Sequence, residues 1–457
     1  MTCLPFGLSS APQIFAKVSN WVAGYLRGLG LRIVVYLDDF LLASQDPQLL
    51  LSQTNSAIDI LQSLGWIINF KKSQLTPIQV LQFLGIMWNP SLDVKYLPQG
   101  KRNLIQEYLV KVVTSGLWSW KIAMKIIGFL SFAAFVIPFG RIHYRRIQWG
   151  CRHLPRSQPL KLFSIPEVTL VQIQWWLPAL HRVSHIFARN PEVFITTDAS
   201  DSGWGVLMND RTSMGTWSAA QEIWHINVKE LFAVRKALEL NLLFLRGKSI
   251  LVQSDNLTVV AYIRKEGGTR SLPLLRETES LFHLAESNNI FLTASYIPGI
   301  YNNIADSLSR QKALPDWHLS EVMLKWIFQQ WGTPVIDLFA TKSSAVVPMY
   351  VSRSALDRQA YFIDAFSRSW TFPLAWVFPP PPLLPRVLQH LLKSQGRFII
   401  IAPNWEKVFW LPDLKRRALA APLPLGNLKN HLIDLASGLP PPGVSSLNLQ
   451  AWLVRGG

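Results

Sequence analysis

Hydrophobic and polar positions give the chain four textures. Over 1–97 an apolar strand, Ile33-Val34-Val35-Tyr36-Leu37, precedes Ala57, Ile58, Ile60, Leu61 and Leu64, which recur at helical spacing. Over 98–190 the pattern is helical. The longest uncharged apolar run there, Ile126 to Gly140, has 15 residues between Lys125 and Arg141. A membrane-spanning helix needs about 20 residues, so this run predicts a buried core helix that stops at Pro138. Over 191–312 short runs predict strands at Val193–Thr197, Gly205–Met208, Met214–Ser218, Ser249–Ser254 and Ile290–Tyr296, with helices after the third, fourth and fifth. Leu231, Val234, Leu238 and Leu242 mark the core face of the first of those helices. The remainder is rich in Trp and Pro: 313–420 predicts a small α/β unit, and 421–457 a Pro-containing tail, read as extended linker.

Length and composition narrow the class. A chain of 457 residues suits two or three domains, and 49% hydrophobic against 16% charged residues excludes wholesale disorder. Lys and Arg number 45 against 28 acids, a net +17. Of that surplus +11 falls within 98–190, where 13 basic residues face only Glu107 and Glu167. Such a surplus favours a polyanionic partner, most simply nucleic acid. With two cysteines, Cys3 and Cys151, a disulfide framework or Cys-based zinc site is excluded, and an intracellular, reducing compartment fits. No secretory segment follows Met1, and the chain reads as soluble, with no membrane partner.

Two constellations of carboxylates carry the candidate chemistry. The first is Asp38-Asp39, directly after the strand ending Tyr36-Leu37 and before Phe40-Leu41-Leu42. Adjacent carboxylates at a strand–turn–strand junction must be solvated or bound to cations. Upstream lies Leu4-Pro5-Phe6-Gly7-Leu8 with Ala11-Pro12; downstream lie Gly65, Asn69, Lys71, Lys72 and Phe83-Leu84-Gly85. This ordered set resembles reverse transcriptases of retroelements. The resemblance implies that Asp38 and Asp39 are metal ligands, that Lys71 and Lys72 touch nucleic acid, and that a template–primer duplex is the partner. The family has a third carboxylate upstream of the Pro-Phe-Gly-Leu segment, where this sequence begins, so the chain alone is expected not to polymerise DNA. The basic helical stretch resembles the thumb and connection of the same enzymes, with Lys121, Lys125, Arg145 and Arg146 among Trp118, Trp120 and Trp149 as candidate phosphate contacts.

The second constellation comprises Asp198 at a strand end before Gly203 and Gly205, Glu230 near a helix start, Asp255 at a strand end, and Asp306 in a helix after Pro298-Gly299. Four carboxylates brought together would repel one another unless divalent ions neutralise them. Oxygen-only ligands point to Mg2+ or Mn2+, and a pair of such ions can activate water against a phosphodiester. The contexts Thr196-Thr197-Asp198-Ala199-Ser200, His225 to Leu231, Ser254-Asp255-Asn256 and Asn302 to Arg310 resemble ribonuclease H domains of retroelements. The resemblance implies that Asp198, Glu230, Asp255 and Asp306 are catalytic and hold two ions, and that RNA–DNA hybrids are the substrate. Asn227, Asn256 and Gln253 are candidates for contacts to the 2′-hydroxyl that distinguishes RNA. His225 reads as structural, and Asp201 as part of a turn.

Further on, Ile336 to Thr341, Asp364-Ala365-Phe366, Phe378-Pro379-Pro380 and Pro403-Asn404-Trp405 resemble the region after ribonuclease H in DIRS-type retroelements, which is likened to adenine methyltransferases. Phe378 stands where such an enzyme needs a polar residue, so this unit is expected to be non-catalytic. The expected fold class is α/β and α+β multidomain: a partial polymerase palm (1–97), a basic helical thumb or connection (98–190), a ribonuclease H-like mixed five-stranded sheet with helices (191–312), and the small α/β unit. The expected function is ribonuclease H. The alternatives are a catalytically dead nucleic-acid-binding relic, or a polymerase active only with a missing N-terminal part.

Overall fold

The computed structural model describes residues 7–209, 211–312, 314–405 and 407–457. Cys3 and the Leu4-Pro5-Phe6 part of the reverse-transcriptase-like motif lie outside them. The chain divides into two compact units, one made of 1–114, 133–138 and 176–188 and the other of 115–132, 139–175 and 189–457. The helical stretch expected over 98–190 is therefore not a unit of its own.

In the first unit, helix α1 (Ala11–Gly28), the hairpin β1 (Ile33–Tyr36) and β2 (Asp39–Leu42), and helix α2 (Pro47–Ser63) enclose a small core. Val22, Ala23, Leu26, Leu31, Ile33, Ala57 and Leu61 fill it. Helix α2 starts where the sequence supplies both a cap and a pre-set first turn: the Asp46 carboxylate accepts the Gln48 and Leu49 amides at 2.8 and 3.3 Å, and Pro47 follows. Strands β3 (Leu81–Phe83), β4 (Ile86–Asn89) and β5 (Val94–Tyr96) pair in sequence order with the two-residue strand Ser184–His185, all antiparallel. Helix α3 (Gln99–Ser115) follows, with Ile105, Leu109 and Val112 buried.

The second unit begins with helical segments. Helix α4 (Trp120–Ala133) stops well before Pro138, and α5 (Gly140–Gly150) starts beyond it. The expected single helix up to Pro138 is thus corrected: the chain turns between them, with Phe139 in the left-handed region at φ 62° as the residue before α5. Helix α6 (Glu167–Ala179) follows. Next come strands β6 (Val193–Ala199), β7 (Gly203–Met208) and β8 (Arg211–Thr216), helix α7 (Ile226–Leu240), strand β9 (Ser249–Ser254), helices α8 (Leu257–Arg264) and α9 (Leu272–Ser287), strand β10 (Phe291–Tyr296) and helix α10 (Asn303–Ser309).

The five strands form one mixed sheet in the order β8-β7-β6-β9-β10. The first three are antiparallel; β9 runs parallel to both β6 and β10, each link crossing over through helices. This is the expected mixed five-stranded sheet with helices. Leu231, Val234 and Leu238 of α7 are fully buried with Ile195, Ile250 and Val252, so these three residues of the stripe read from periodicity do face the sheet. Leu242, by contrast, lies beyond the end of α7 and is only partly buried.

The C-terminal sheet joins the same unit. Strands β11 (Ile336–Asp337), β12 (Thr371–Val377) and β13 (Gln395–Pro403) are parallel, and β14 (Leu449–Arg455) pairs antiparallel with β13. Alternate residues serve opposite faces: Phe398, Ile400, Trp452 and Val454 enter one core, while Ile399, Ile401, Ala451 and Leu453 enter the other. The expectation of an extended linker after residue 420 is overturned here. The prolines of the tail bracket a short strand, Leu423–Pro424, but the apolar run that follows them completes a sheet buried on both sides. Among the described residues no helix is long and apolar enough to cross a membrane.

Candidate active site: a buried carboxylate cluster

Three elements deliver three acids to one point. Strand β6 is buried along its whole length and carries Asp198 near its end; Asp255 follows the last residue of β9, the parallel neighbour; Glu230 sits in the second turn of α7. Oxygens of Asp198, Glu230 and Asp255 lie within 4.8 Å of one another. Asp198 and Glu230 are only 6% and 5% exposed, so solvent does little to screen them. Burial pushes the Asp198 carboxyl up to about 7, with the charges of Asp255 and Asp306 adding to it and the Ser309 hydroxyl opposing. Glu230 rises to about 9, chiefly from burial and then from Asp198 and Asp255. The Asp255 carboxyl is raised for the same first reason. One buried oxygen, Oε2 of Glu230, has no hydrogen-bond partner. Carboxylates seldom tolerate that arrangement unless a proton or a cation is shared among them.

Asp306 stands apart. Its Oδ1 accepts from Arg310 Nε at 2.7 Å one helical turn on, and both side chains are about half exposed, at 41% and 49%. It remains near enough for its charge to act on Asp198 and Asp255. The structure thus brings three of the four expected acids together and turns the fourth toward an arginine.

Residues outside the expected set hold the cluster in place. The Ser309 hydroxyl donates to Asp198 Oδ2 at 2.5 Å, and Ser200 donates to the Ser309 carbonyl at 2.8 Å. Asn302, fully buried, donates through Nδ2 to the Thr197 carbonyl at 3.1 Å and to Asp255 Oδ1 at 3.3 Å. It therefore ties the end of β6 to the acid at the end of β9. The one signal for Asn302 was its place in the loop before Asp306; nothing in its spacing announced a role. Gly203 and Gly205 are strand residues of β7. A Cβ on Gly205 would collide with the Ala305 carbonyl and the Leu308 side chain, so α10 rests directly on bare backbone there.

The expected nucleic-acid contacts fall into two groups. Lys71, Lys72, Lys121 and Lys125 are exposed. Arg145 and Arg146 are not simple solvent-facing cations. Arg145 donates to Gln148 at 3.0 Å, and Arg146 Nε lies 3.6 Å from a Glu279 oxygen, with both side chains under one-fifth exposed. The run of basic residues conceals the Arg146 pairing because Glu279 lies more than a hundred positions away. Trp118 is core, 1% exposed, while Trp120 lies under the Arg156 guanidinium at 4.8 Å. Asn256 caps α8, accepting the Thr258 amide at 2.9 Å, and its Nδ2 donates to Asn227 Oδ1 at 2.8 Å, which fixes both amides beside Asp255. Gln253 is spent elsewhere: its amide donates to the Pro382 carbonyl at 2.9 Å. His225 Nδ1 accepts the Asn227 amide at 3.1 Å and so caps α7.

In the first unit Asp38 and Asp39 are exposed at the hairpin tip, where Tyr36 pairs with Asp39 and Leu37 takes φ 54°. A leucine in that left-handed region is uncommon. Among the described residues these two acids gather with no third ligand. In the C-terminal sheet a cavity of about 350 Å3 at the carboxyl ends of β11 and β12 is lined by Phe339, Phe366, Phe378 and Asp364, together with Asn303 and Ile304 of α10.

Comparison with known proteins gives these features a context. Residues 1–88 match the family model described as reverse transcriptase (RNA-dependent DNA polymerase). The enzymatic polyprotein of Cauliflower mosaic virus (strain D/H) is 24% identical over 323 residues, covering 67% of this chain and 45% of the polyprotein. That of Figwort mosaic virus (strain DxS) is 24% identical over 328 residues, with 67% and 45% covered. The chain spans somewhat under half the length of these curated relatives. Among solved structures, the foamy viral protease–reverse transcriptase in complex with an RNA/DNA hybrid has a TM-score of 0.35 at 17% identity, over 64% of this chain and 39% of that one. RNase H1 from the archaeon Halobacterium salinarum has a TM-score of 0.23 at 19% identity, over 26% of this chain and 95% of that one. The chain is similar to reverse transcriptases over its first 88 residues and to viral polyproteins over two-thirds of its length.

Proposed function

We propose that this protein is a retroelement-derived ribonuclease H, hydrolysing the RNA strand of RNA–DNA hybrids at the carboxylate cluster of the mixed sheet. One observation carries the reading: three acids from three separate elements meet within 4.8 Å, largely buried, with Glu230 Oε2 left without a partner. The donor set fits hard divalent cations, since it offers carboxylate oxygen and neither nitrogen nor sulfur. Asp198, Glu230 and Asp255 would hold Mg2+ or Mn2+, with Asp306 as the fourth acid of a two-ion site. Such ions, when bound, lower the pKa of a water and offset charge on the leaving oxygen of a phosphodiester. The chain's own residues orient and discriminate. Ser309 and Asn302 fix the directions of Asp198 and Asp255, and the paired amides Asn227 and Asn256 present polar groups beside Asp255 for the RNA strand.

Descent from a DIRS-like retrotransposon is part of the same proposal, supported by the order of a reverse-transcriptase-like segment, the mixed sheet and a further α/β sheet. The exposed Lys71, Lys72, Lys121 and Lys125 are assigned to the nucleic-acid backbone, and an intracellular, reducing setting is supported by the scarcity of cysteine. A polymerase function for Asp38 and Asp39 is supported by the family match over 1–88 but not by a third acid among the described residues.

The test is cleavage of a labelled RNA–DNA duplex in Mg2+ by the full chain and by Asp255→Asn. Cleavage is expected from the parent and background from the variant; intact hybrid in both cases identifies a binding relic instead. A second expectation concerns Asn302, which acts through Asp255. Asn302→Ala is expected to weaken Mg2+ binding about 10- to 100-fold, as loss of an outer-sphere partner generally does, read from the Mg2+ dependence of the melting midpoint. Unchanged Mg2+ dependence removes the positioning role.

A further inference from the structure

A second cluster of ligating side chains lies on other elements of the same unit. His283 and Glu286 stand three residues apart on α9 and so share a face; His143 reaches them from α5. One ligating atom from each of the three lies within 4.8 Å of the others. The two imidazole rings are 5.5 Å apart at 66°, an edge-to-face disposition that lets nitrogens of both rings point to a common position. His143 and Glu286 each have a further partner of the kind that orients a metal ligand. Trp175 of α6 stacks on the His143 ring at 3.6 Å, and its Nε1 donates to Glu286 Oε1 at 3.2 Å.

The hydrogen bonds around His143 point the same way. Its Nδ1 lies 2.6 Å from the Gln172 amide oxygen, and its Nε2 lies 3.1 Å from Glu286 Oε2. With the Nδ1 proton given to Gln172, Nε2 turns a lone pair toward a carboxylate oxygen. Two acceptors face each other across that gap, and a cation resolves it. A proton would serve, but the nearby imidazole of His283 adds a third ligand that a proton does not require. Two imidazoles and one carboxylate, with His283 exposed so that water can complete the set, form a donor group suited to Zn2+ and not to Mg2+.

We propose that His143, His283 and Glu286 form a Zn2+ site that clips helix α5 to helix α9. Its donors are mainly nitrogen, so it is chemically separate from the all-oxygen cluster at Asp198, Glu230 and Asp255, and it stands whether or not that cluster cleaves RNA. Its effect is structural: it fastens the helical segment 140–150 to the ribonuclease H-like sheet through α9.

The experiment titrates Co2+, as a coloured probe, and then Zn2+ into the chelator-treated full-length protein, with excess Mg2+ present to saturate the carboxylate cluster. One equivalent of Co2+ with visible bands of imidazole-ligated metal, displaced by Zn2+, is the expected result. His283→Gln, a change at an exposed position, should weaken binding by more than about 100-fold, beyond the usual cost of an outer-sphere partner. Glu286→Gln should do the same while Asp255→Asn leaves the bands intact. The metal-free melting midpoint of His283→Gln should match the parent. Absence of the bands in the parent, or bands of equal strength in His283→Gln, overturns the proposal and leaves His143 as a buried hydrogen-bonded histidine.

Discussion

Removing residues 449–457 is expected to unfold the C-terminal sheet. Strand β14 is no appendage: Leu449, Ala451, Trp452, Leu453 and Val454 are each at most 8% exposed, and they feed both cores. At roughly 1.5–3 kcal/mol for each large buried side chain, their loss amounts to about 10 kcal/mol, similar to the whole stability of a domain. The deletion also strips the backbone partners of β13 from Arg397 to Pro403, and the Gly457 carbonyl that accepts from buried Arg417 at 2.6 Å. The measurement is limited proteolysis with near-ultraviolet circular dichroism, which reports on the buried Trp370 and Trp376. A graded version is Trp452→Ala, for which about 3–5 kcal/mol is expected from denaturant unfolding. A deletion variant as protease-resistant as the parent would contradict the account of the tail given by its burial.

The second large effect is a loss of stability with rising pH in metal-free protein. Asp198 is raised from 3.8 to about 7 and Glu230 from 4.5 to about 9, mainly by burial. Both acids hold their protons more tightly folded than unfolded. Their contribution is therefore complete below about pH 4 and is lost as pH climbs through 7 and then 9. Between about pH 5 and pH 8 a decline of a few kcal/mol is expected. Glu230→Gln, which cannot ionise, should flatten that slope. Mg2+ should lift the curve most at the alkaline end, where the carboxylates are charged. Ligand at about 100 times its dissociation constant stabilises by roughly 2.7 kcal/mol. Thermal midpoints measured across this range, with Mg2+ and with chelator, decide the matter. Identical slopes for the parent and Glu230→Gln, unmoved by Mg2+, would remove the physical basis for a cation site.

The middle of the chain was legible because its signals are local. Each strand is a short apolar run bounded by turn residues, and the stripe through Leu231, Val234 and Leu238 needs only a helical period to declare its face. The acids sit at ends of those elements, so their approximate meeting point follows once the strand order is known. What escaped is set by tertiary partners. Ser309 and Asn302 bind Asp198 and Asp255, and Glu279 engages Arg146; no window of sequence shows these pairs, whereas the Asp306–Arg310 pair is a local one, four residues apart. The tail misled for a different reason. Its prolines advertise an open chain, whereas Leu449 to Val454 find their partner strand some fifty residues upstream.

The seat beneath helix α10 also sets how this centre can change. Because the helix bearing Asp306 and Ser309 lies on unadorned backbone at Gly205, the strand places no side chain between itself and the helix at that point. The distance from Asp198 to the base of Asp306 is therefore stiff. What freedom the fourth acid has lies in its own rotamer and in the partner it grips on the surface. An exposed ion pair such as Asp306–Arg310 is worth at most about 1 kcal/mol, so ionic strength, or a competing phosphate drawn to Arg310, is enough to release that carboxylate toward its three companions.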